Sequence, residues 1–265
     1  MAPWYIAVIL GLLEGLTEFL PVSSTGHLIL AGHLLDFTGP KADTFDIAIQ
    51  LGAILAVVVL YRDRFWGLLR PHPLRRFSGR RGILLLFLTT LPALVFGFLT
   101  HGLIKRYLFG PMTVALALFV GALFILAVEL RRRRPRTYAL DEIGPGLALG
   151  IGLFQCLALW PGFSRAGATI MGAMILGAER KTAAEYSFLA AVPVMCAAVG
   201  YDLLKSWRLL DTGDLLFLGI GFAVSFISAW AAVKTFIGML SRFTLRPFAW
   251  YRLALAPLVW LFWKP

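Results

Sequence analysis

The chain has 265 residues, 59% of them hydrophobic and only 15% charged, against roughly 25% charged in ordinary soluble domains. That balance excludes an ordinary soluble globular domain, and it excludes disorder, which needs low hydrophobicity and dense charge. A polytopic membrane protein remains, and its formal net charge of +11 has to be placed along the chain.

In chain order, the first apolar stretch, about residues 4–35, is interrupted in its middle by EGLTEFLPVSSTGHLIL, from Glu14 to Leu30. Its start, MAPWYIAVIL, lacks the charged segment that opens a signal peptide and is expected to belong to the mature protein. An uninterrupted span follows at about 43–61, then a loop at 62–82 with seven arginines. Spans at about 83–100 and 112–130 flank a loop, 101–111, with only Lys105 and Arg106. The loop at 131–144 carries five arginines, at 131 to 134 and 136. A second interrupted stretch, about 146–177, reads GLFQCLALWPGFSRAGATIM from Gly152 to Met171. Spans at about 182–200, 215–235 and 248–263 complete the chain. Their loops are sparsely basic, with Lys205 and Arg208 in 201–214 and Arg242 and Arg246 in 236–247.

The loops at 62–82 and 131–144 hold twelve of the 25 basic residues between apolar runs. That placement reads as cytoplasmic loops under the positive-inside rule, and no nucleic-acid partner is expected because no fold element supports one. Cys156 and Cys196 lie in apolar stretches and build neither a disulfide framework nor a metal spacing. The expected fold is an all-α polytopic membrane protein with six transmembrane helices plus two re-entrant helical hairpins.

The two interrupted stretches look like copies of one pattern. Residues Gly11 to Leu16 match Gly152 to Leu157 at an offset of 141, and Pro21–Pro161 and Ser24–Ser164 pair at 140. This predicts two halves, about 1–135 and 140–265, in a single membrane domain. Each half holds one hairpin and three spans, and three is odd, so the second half is expected to be inverted. The basic loops agree: 62–82, 131–144 and 236–247 inside, 101–111 and 201–214 outside, with both termini outside the cytoplasm. Paired breaks in an inverted repeat point to a functional site near the midplane, because irregular backbone at that depth must be buried in protein or line a wet cavity.

Glu14 and Glu18 share one helix face, where two carboxylates repel unless a cation or proton lies between them. Burying one charge at the bilayer centre costs roughly 2.5–3.5 kcal/mol on insertion scales. The pair therefore reads as a divalent-cation site, whose oxygen ligands favour Mg²⁺ or Ca²⁺, or else as partners of a buried arginine. Ser23, Ser24, Thr25, Gly26 and His27 follow the break and open a new apolar run, an arrangement that binds phosphate at a helix N-terminus or simply caps it. A hydroxyl there is also a candidate nucleophile if a base stands within reach. In the second break Arg165 is the one strong cation, and its fork suits a phosphate, or else pairs with Glu14 or Glu18. Ser164 and Thr169 add hydroxyls. Gln155 and Leu159 replace the two glutamates, and nothing replaces His27. Gln50 is polar within a span and faces the cavity or a neighbouring helix. Trp160, Trp250, Tyr251, Trp260 and Trp263 read as interfacial or packing residues.

The stretch from Glu14 to His27, together with Pro161-Gly162-Phe163-Ser164-Arg165 and Ile49-Gln50-Leu51-Gly52, resembles the bacterial undecaprenyl-diphosphate phosphatase family of the BacA/UppP type, over essentially the whole chain. The resemblance implies a multi-pass enzyme of the bacterial cytoplasmic membrane. It would hydrolyse undecaprenyl diphosphate to undecaprenyl phosphate, the carrier lipid for peptidoglycan, with Mg²⁺ or Ca²⁺ and an active site facing the exterior. It also implies bacitracin resistance, with bacitracin competing for the same lipid; a homo-oligomer is left open. By motif position, Glu14 and Glu18 fall on the glutamate pair, Ser24 and His27 on the serine and histidine, Arg165 on the phosphate-binding arginine, and Ser164 and Thr169 on the second-motif hydroxyls. The family's second motif usually has serine after the arginine, where this chain has Ala166. On that basis Ser24 is the expected nucleophile and His27 its base, with His27 as alternative nucleophile. Ser23, Thr25, Ser164, Thr169 and Gln50 join Arg165 around the phosphate. The rival reading is a secondary transporter or flippase of a lipid phosphate or other anion, which explains the repeat but less well the one-sided placement of Glu14, Glu18, Ser24 and His27.

Overall fold

The computed structural model describes residues 2–70, 76–131, 134–206, 214–240 and 242–263. Arg75, Arg132, Arg133 and Arg208 of the basic loops lie outside the described residues. Eleven α-helices are described: α1 (Trp4–Thr17), α2 (Ser24–Leu34), α3 (Pro40–Leu60), α4 (Arg62–Leu69), α5 (Gly79–Leu103), α6 (Pro111–Leu130), α7 (Pro145–Gln155), α8 (Arg165–Ile175), α9 (Arg180–Ser206), α10 (Leu215–Leu240) and α11 (Arg246–Phe262). Among the described residues there is no strand, only one isolated bridge between Thr137 and Ala178.

Five helices, α3, α5, α6, α9 and α10, are long and apolar enough to cross a membrane. Their outward faces are apolar as well: Phe98 is 80% exposed, Leu99 71% and Leu204 78%. Side chains of that kind belong against hydrocarbon rather than water, and the chain is an integral membrane protein. The span predicted at 248–263 is the 17-residue helix α11, roughly 25 Å long against a core of about 30 Å. Both interrupted stretches are helix–break–helix units with short arms, α1 with α2 and α7 with α8.

The breaks have local causes. Pro21 and Pro161 have no N–H to continue a helical ladder. After each, a serine takes positive φ just before the next helix, Ser23 at 72° and Ser164 at 76°. Only one other non-glycine residue, Asp36, does so among the described residues. The pair sits at an offset of 141, the same as Gly11 to Gly152. Ser23 rather than Ser24 is therefore the backbone counterpart of Ser164, and Ser24 is the counterpart of Arg165. The sequence pairing at 140 slipped because proline and serine occur at neighbouring positions in both copies.

The short arms are packed crosswise. α1 lies on α10 and α7 lies on α5, so each leans on a long helix of the other half of the chain. Glycine makes this possible: a Cβ on Gly11 would run into the Gly221 carbonyl of α10, and one on Gly152 into the Leu88 and Thr89 carbonyls of α5. α6 pairs with α11, and α3 with α9 and α10. The largest buried cluster joins Phe19 of the first break to Phe188 and Tyr186 of α9 and to Ala166 and Ile170 of α8.

Candidate active site

The crossed packing brings the two breaks edge to edge. Glu18 follows the last turn of α1, with its N–H still bonded to the Glu14 carbonyl. Its carboxylate is shared: Oε2 accepts from Ser24 Oγ at 2.6 Å, and Oε1 accepts from Arg165 Nη2 at 3.1 Å. One carboxylate thus joins the first residue of α2 to the first residue of α8. The Glu18 and Arg165 side chains are 10% and 13% exposed, so the pair is largely desolvated yet not sealed. Arg165 is braced further: Nη1 donates to the Ser187 carbonyl of α9 at 3.2 Å, and the guanidinium lies 5.3 Å from the Phe19 ring centre. Its Nε is buried without a partner.

Glu14, one turn before Glu18, is fully buried, and neither of its carboxylate oxygens has a hydrogen-bond partner. An ionised carboxylate cannot stay so without a cation or proton. Asp46 of α3 also has a buried, unpartnered Oδ1. Among the described residues no group of three His, Cys, Asp or Glu side chains is arranged to hold a metal. The donors that fit a hard cation are the Glu14 and Glu18 carboxylates, since Mg²⁺ in particular is commonly held by one or two carboxylates with phosphate oxygens completing its shell.

His27 lies one turn into α2 and is turned away from Ser24. Its Nδ1 is 2.7 Å from the Ser23 carbonyl, which can only accept, so Nδ1 carries the proton. In the neutral ring Nε2 then accepts from the Tyr251 hydroxyl at 2.6 Å, and the two rings stack at 5.5 Å with 6° between planes. Both nitrogens are engaged, and the expected Ser24–His27 hydrogen bond is not formed; the base within reach of Ser24 is Glu18.

The other predicted residues divide. Ser23 is buried at the turn that presents Ser24, and Thr25 is half-buried beside it. Ser164 Oγ accepts from the Gly167 N–H at 3.1 Å as an N-cap and reaches the Leu20 carbonyl at 3.4 Å, so it caps one break and touches the other. Thr169 is fully buried: its hydroxyl donates to the Arg165 carbonyl at 2.9 Å and lies 2.6 Å from Ser187 Oγ. It faces α9 rather than the Glu18–Arg165 pair, so it braces Arg165 from behind. Gln50 is half-buried on α3 and is not part of this hydrogen-bonded set.

Residues 7–258 match the family described as Bacitracin resistance protein BacA. The chain belongs to this family. Over 262 residues it is 69% identical to a protein of Nitratidesulfovibrio vulgaris named undecaprenyl-diphosphatase, covering 99% of each chain. A protein of that name from Maridesulfovibrio salexigens is 67% identical over the whole of both chains. The similarity reaches beyond these relatives: "Undecaprenyl-diphosphatase 1" of Bacillus thuringiensis is 50% identical over 99% of each chain.

Three further residues of this BacA-family site were missed in the sequence. Arg252 of α11 is fully buried and spends all five N–H groups on carbonyls: Nε on Leu118, Nη1 on Pro21 and Phe163, and Nη2 on Ala117 and Gly162, at 2.8–3.2 Å. It ties both breaks to α6. Tyr251, taken as interfacial, holds His27, and Ser187 holds Arg165 and Thr169. The signal that singled out Arg165, a lone cation in an apolar run, applies equally to Arg252.

Proposed function

We propose that the chain is an integral membrane undecaprenyl-diphosphatase, hydrolysing undecaprenyl diphosphate to undecaprenyl phosphate and inorganic phosphate and so recycling the carrier lipid for peptidoglycan synthesis. Its supports are the shared family, the full-length relatives that carry that name, and one observation of chemistry. A single carboxylate, Glu18, is bonded at once to a hydroxyl from one break and a guanidinium from the other.

In this reading the molecule has six transmembrane helices, α11 being the sixth, and two re-entrant hairpins, α1–α2 and α7–α8, in an inverted-topology repeat. The crossed packing of α1 on α10 and α7 on α5 and the matched serines at positive φ favour it. The arginine-rich loops put 62–82 and 131–144 in the cytoplasm of a bacterial inner membrane, with both termini outside and the active site open to the exterior. Bacitracin then acts by competing for the same lipid diphosphate.

Ser24 is the nucleophile. Glu18 Oε2, already the acceptor of its hydroxyl hydrogen, takes the proton as Ser24 Oγ attacks the terminal phosphorus in line. The bond from that phosphorus to the bridging oxygen breaks, and undecaprenyl phosphate leaves. Glu18 gives that proton to the departing undecaprenyl phosphate and is again a carboxylate. Water then attacks the phosphoserine, Glu18 takes the water's proton and returns it to Ser24 Oγ as the bond from that oxygen to phosphorus breaks, and inorganic phosphate is released. Arg165 lies where charge develops on the terminal phosphate, and its free Nε–H is available to it. The N–H groups opening α2, with Thr25, add donors. His27 is a positioning residue here: from Nδ1 it holds the Ser23 carbonyl and thereby the turn that presents Ser24. Mg²⁺ or Ca²⁺ held by Glu14 and Glu18 would supply neutralisation of the phosphate oxygens.

The testing experiment is phosphate release from undecaprenyl diphosphate by the purified protein in detergent. Release is expected, with an acid-stable phospho-adduct trapped by rapid quench that disappears in Ser24→Ala. An acid-labile adduct would transfer the nucleophile role to His27, and unchanged release in Ser24→Ala would remove Ser24 from the chemistry.

A further inference from the structure

Away from the candidate active site the bundle holds a cavity of about 770 Å³, apolar over most of its wall but edged by charged side chains, where α6 and α8 end and α9 and α11 begin. That volume lies within the usual range for small-ligand sites. Arg165 and Ile175 mark the two ends of α8, so the cavity lies ten residues, roughly 15 Å, along that helix from the candidate active site. Four arginines line it, Arg131, Arg134, Arg180 and Arg246, against Glu129 and Glu179.

The charges do not cancel. Glu129 is consumed by Arg180, which donates to it from Nε at 2.9 Å and Nη2 at 2.7 Å, and by the Leu245 N–H at 2.9 Å. Glu179 accepts from the Thr182 N–H at the start of α9. Arg131, Arg134 and Arg246 form no ion pair among the described residues. Arg246 Nε is buried with no hydrogen-bond partner, an uncommon condition for a guanidinium that an anion would relieve. The same residue opens α11, whose N-terminal end adds positive potential. Between the arginines the wall is apolar, formed by Phe124, Val128 and Met174.

We propose that this cavity binds the phosphate headgroup of an anionic membrane lipid. The free guanidiniums take the phosphate, and the apolar wall takes the first methylenes of the chains. Free inorganic phosphate shares the first requirement but leaves that wall uncovered. Basic pockets between transmembrane helices on the cytoplasmic side are suited to anionic headgroups, and the loops at 131–144 and 236–247 that border this one are the predicted inner loops. The proposal does not rest on the diphosphatase reading.

Native mass spectrometry of the purified full chain, with phosphatidylglycerol, phosphatidylcholine or inorganic phosphate added in separate arms, tests it. One retained phosphatidylglycerol is expected, weakened about tenfold or more in the double variant R131Q/R246Q. It should persist in Arg165→Ala and be lost in Ala127→Trp, which fills the cavity while keeping every arginine. Ala127 lines the cavity and is exposed, so that variant serves if the arginine pair disturbs folding. Equal retention of phosphatidylcholine, retention of inorganic phosphate without lipid, unchanged retention in both cavity variants, or loss confined to Arg165→Ala would each overturn the assignment.

Discussion

The first break, from Glu18 to Ser23, and the second, from Trp160 to Ser164, share a backbone but not a chemistry. Each ends on a serine at positive φ and feeds an 11-residue helix. The first carries Glu14, Glu18, Ser24 and His27. At the same offset of 141 the second carries Gln155, Leu159, Arg165 and Ala168, so nothing there replaces His27. Glu14 is left with two bare oxygens, while Gln155 donates to the Thr89 carbonyl at 3.1 Å. Where the first break presents a hydroxyl, the second presents a guanidinium, and the two meet on Glu18. The contrast teaches that the scaffold is repeated but the site is not: there is one composite site, with the carboxylates and hydroxyl drawn from the first stretch and the guanidinium from the second.

The largest expected effect comes from removing what holds the two breaks in one place. Arg252→Ala removes five hydrogen bonds that tie three segments together and should cost more than about 4 kcal/mol of stability, read as loss of folded protein in detergent melts. Arg252→Lys, with three donors, should fall between. A wild-type melt for Arg252→Ala would mean the breaks are held by other contacts.

The serines separate the breaks next. Ser24→Ala should lower phosphate release by at least about 10²-fold with little change in stability. Ser164→Ala should do the reverse, costing about 1 kcal/mol as a lost N-cap while retaining most activity. Equal losses of activity from both would restore two equivalent half-sites. Tyr251→Phe removes the one donor to His27 Nε2 and should reduce kcat by no more than about tenfold, with KM unmoved, because it acts only through the turn at Ser23. A larger loss would put His27 in the chemistry. The smallest effect is a gain: Ser23→Gly relieves a positive-φ serine and should raise stability by about 1 kcal/mol, whereas Ser164→Gly gives up a cap as well and should gain less.

The helices were legible because hydrocarbon imposes long apolar runs, and each predicted span overlaps an observed helix. The groups Glu14, Glu18, Ser24, His27 and Arg165 stood out because charge and hydroxyl are costly in such runs. What stayed hidden depended on contacts across the chain. Glu18, not His27, receives the Ser24 hydroxyl because the turn at Ser23 directs the imidazole toward Tyr251, some 224 positions away in sequence. Thr169 was expected around the phosphate as a hydroxyl of the second motif, yet its side chain faces α9 and Ser187. Arg252 carried the same mark as Arg165, a lone cation in an apolar span, but its role was hidden because its five acceptors are backbone carbonyls of distant segments.

The central claim is that Glu18 and Arg165 work as one unit across the two breaks. A double-mutant cycle on phosphate release from undecaprenyl diphosphate, with Glu18→Gln, Arg165→Ala and both together, measures it. The account predicts that each single change costs at least about 10²-fold and that the double costs little more than either. Effects that multiply, or wild-type release from either single variant, would contradict it.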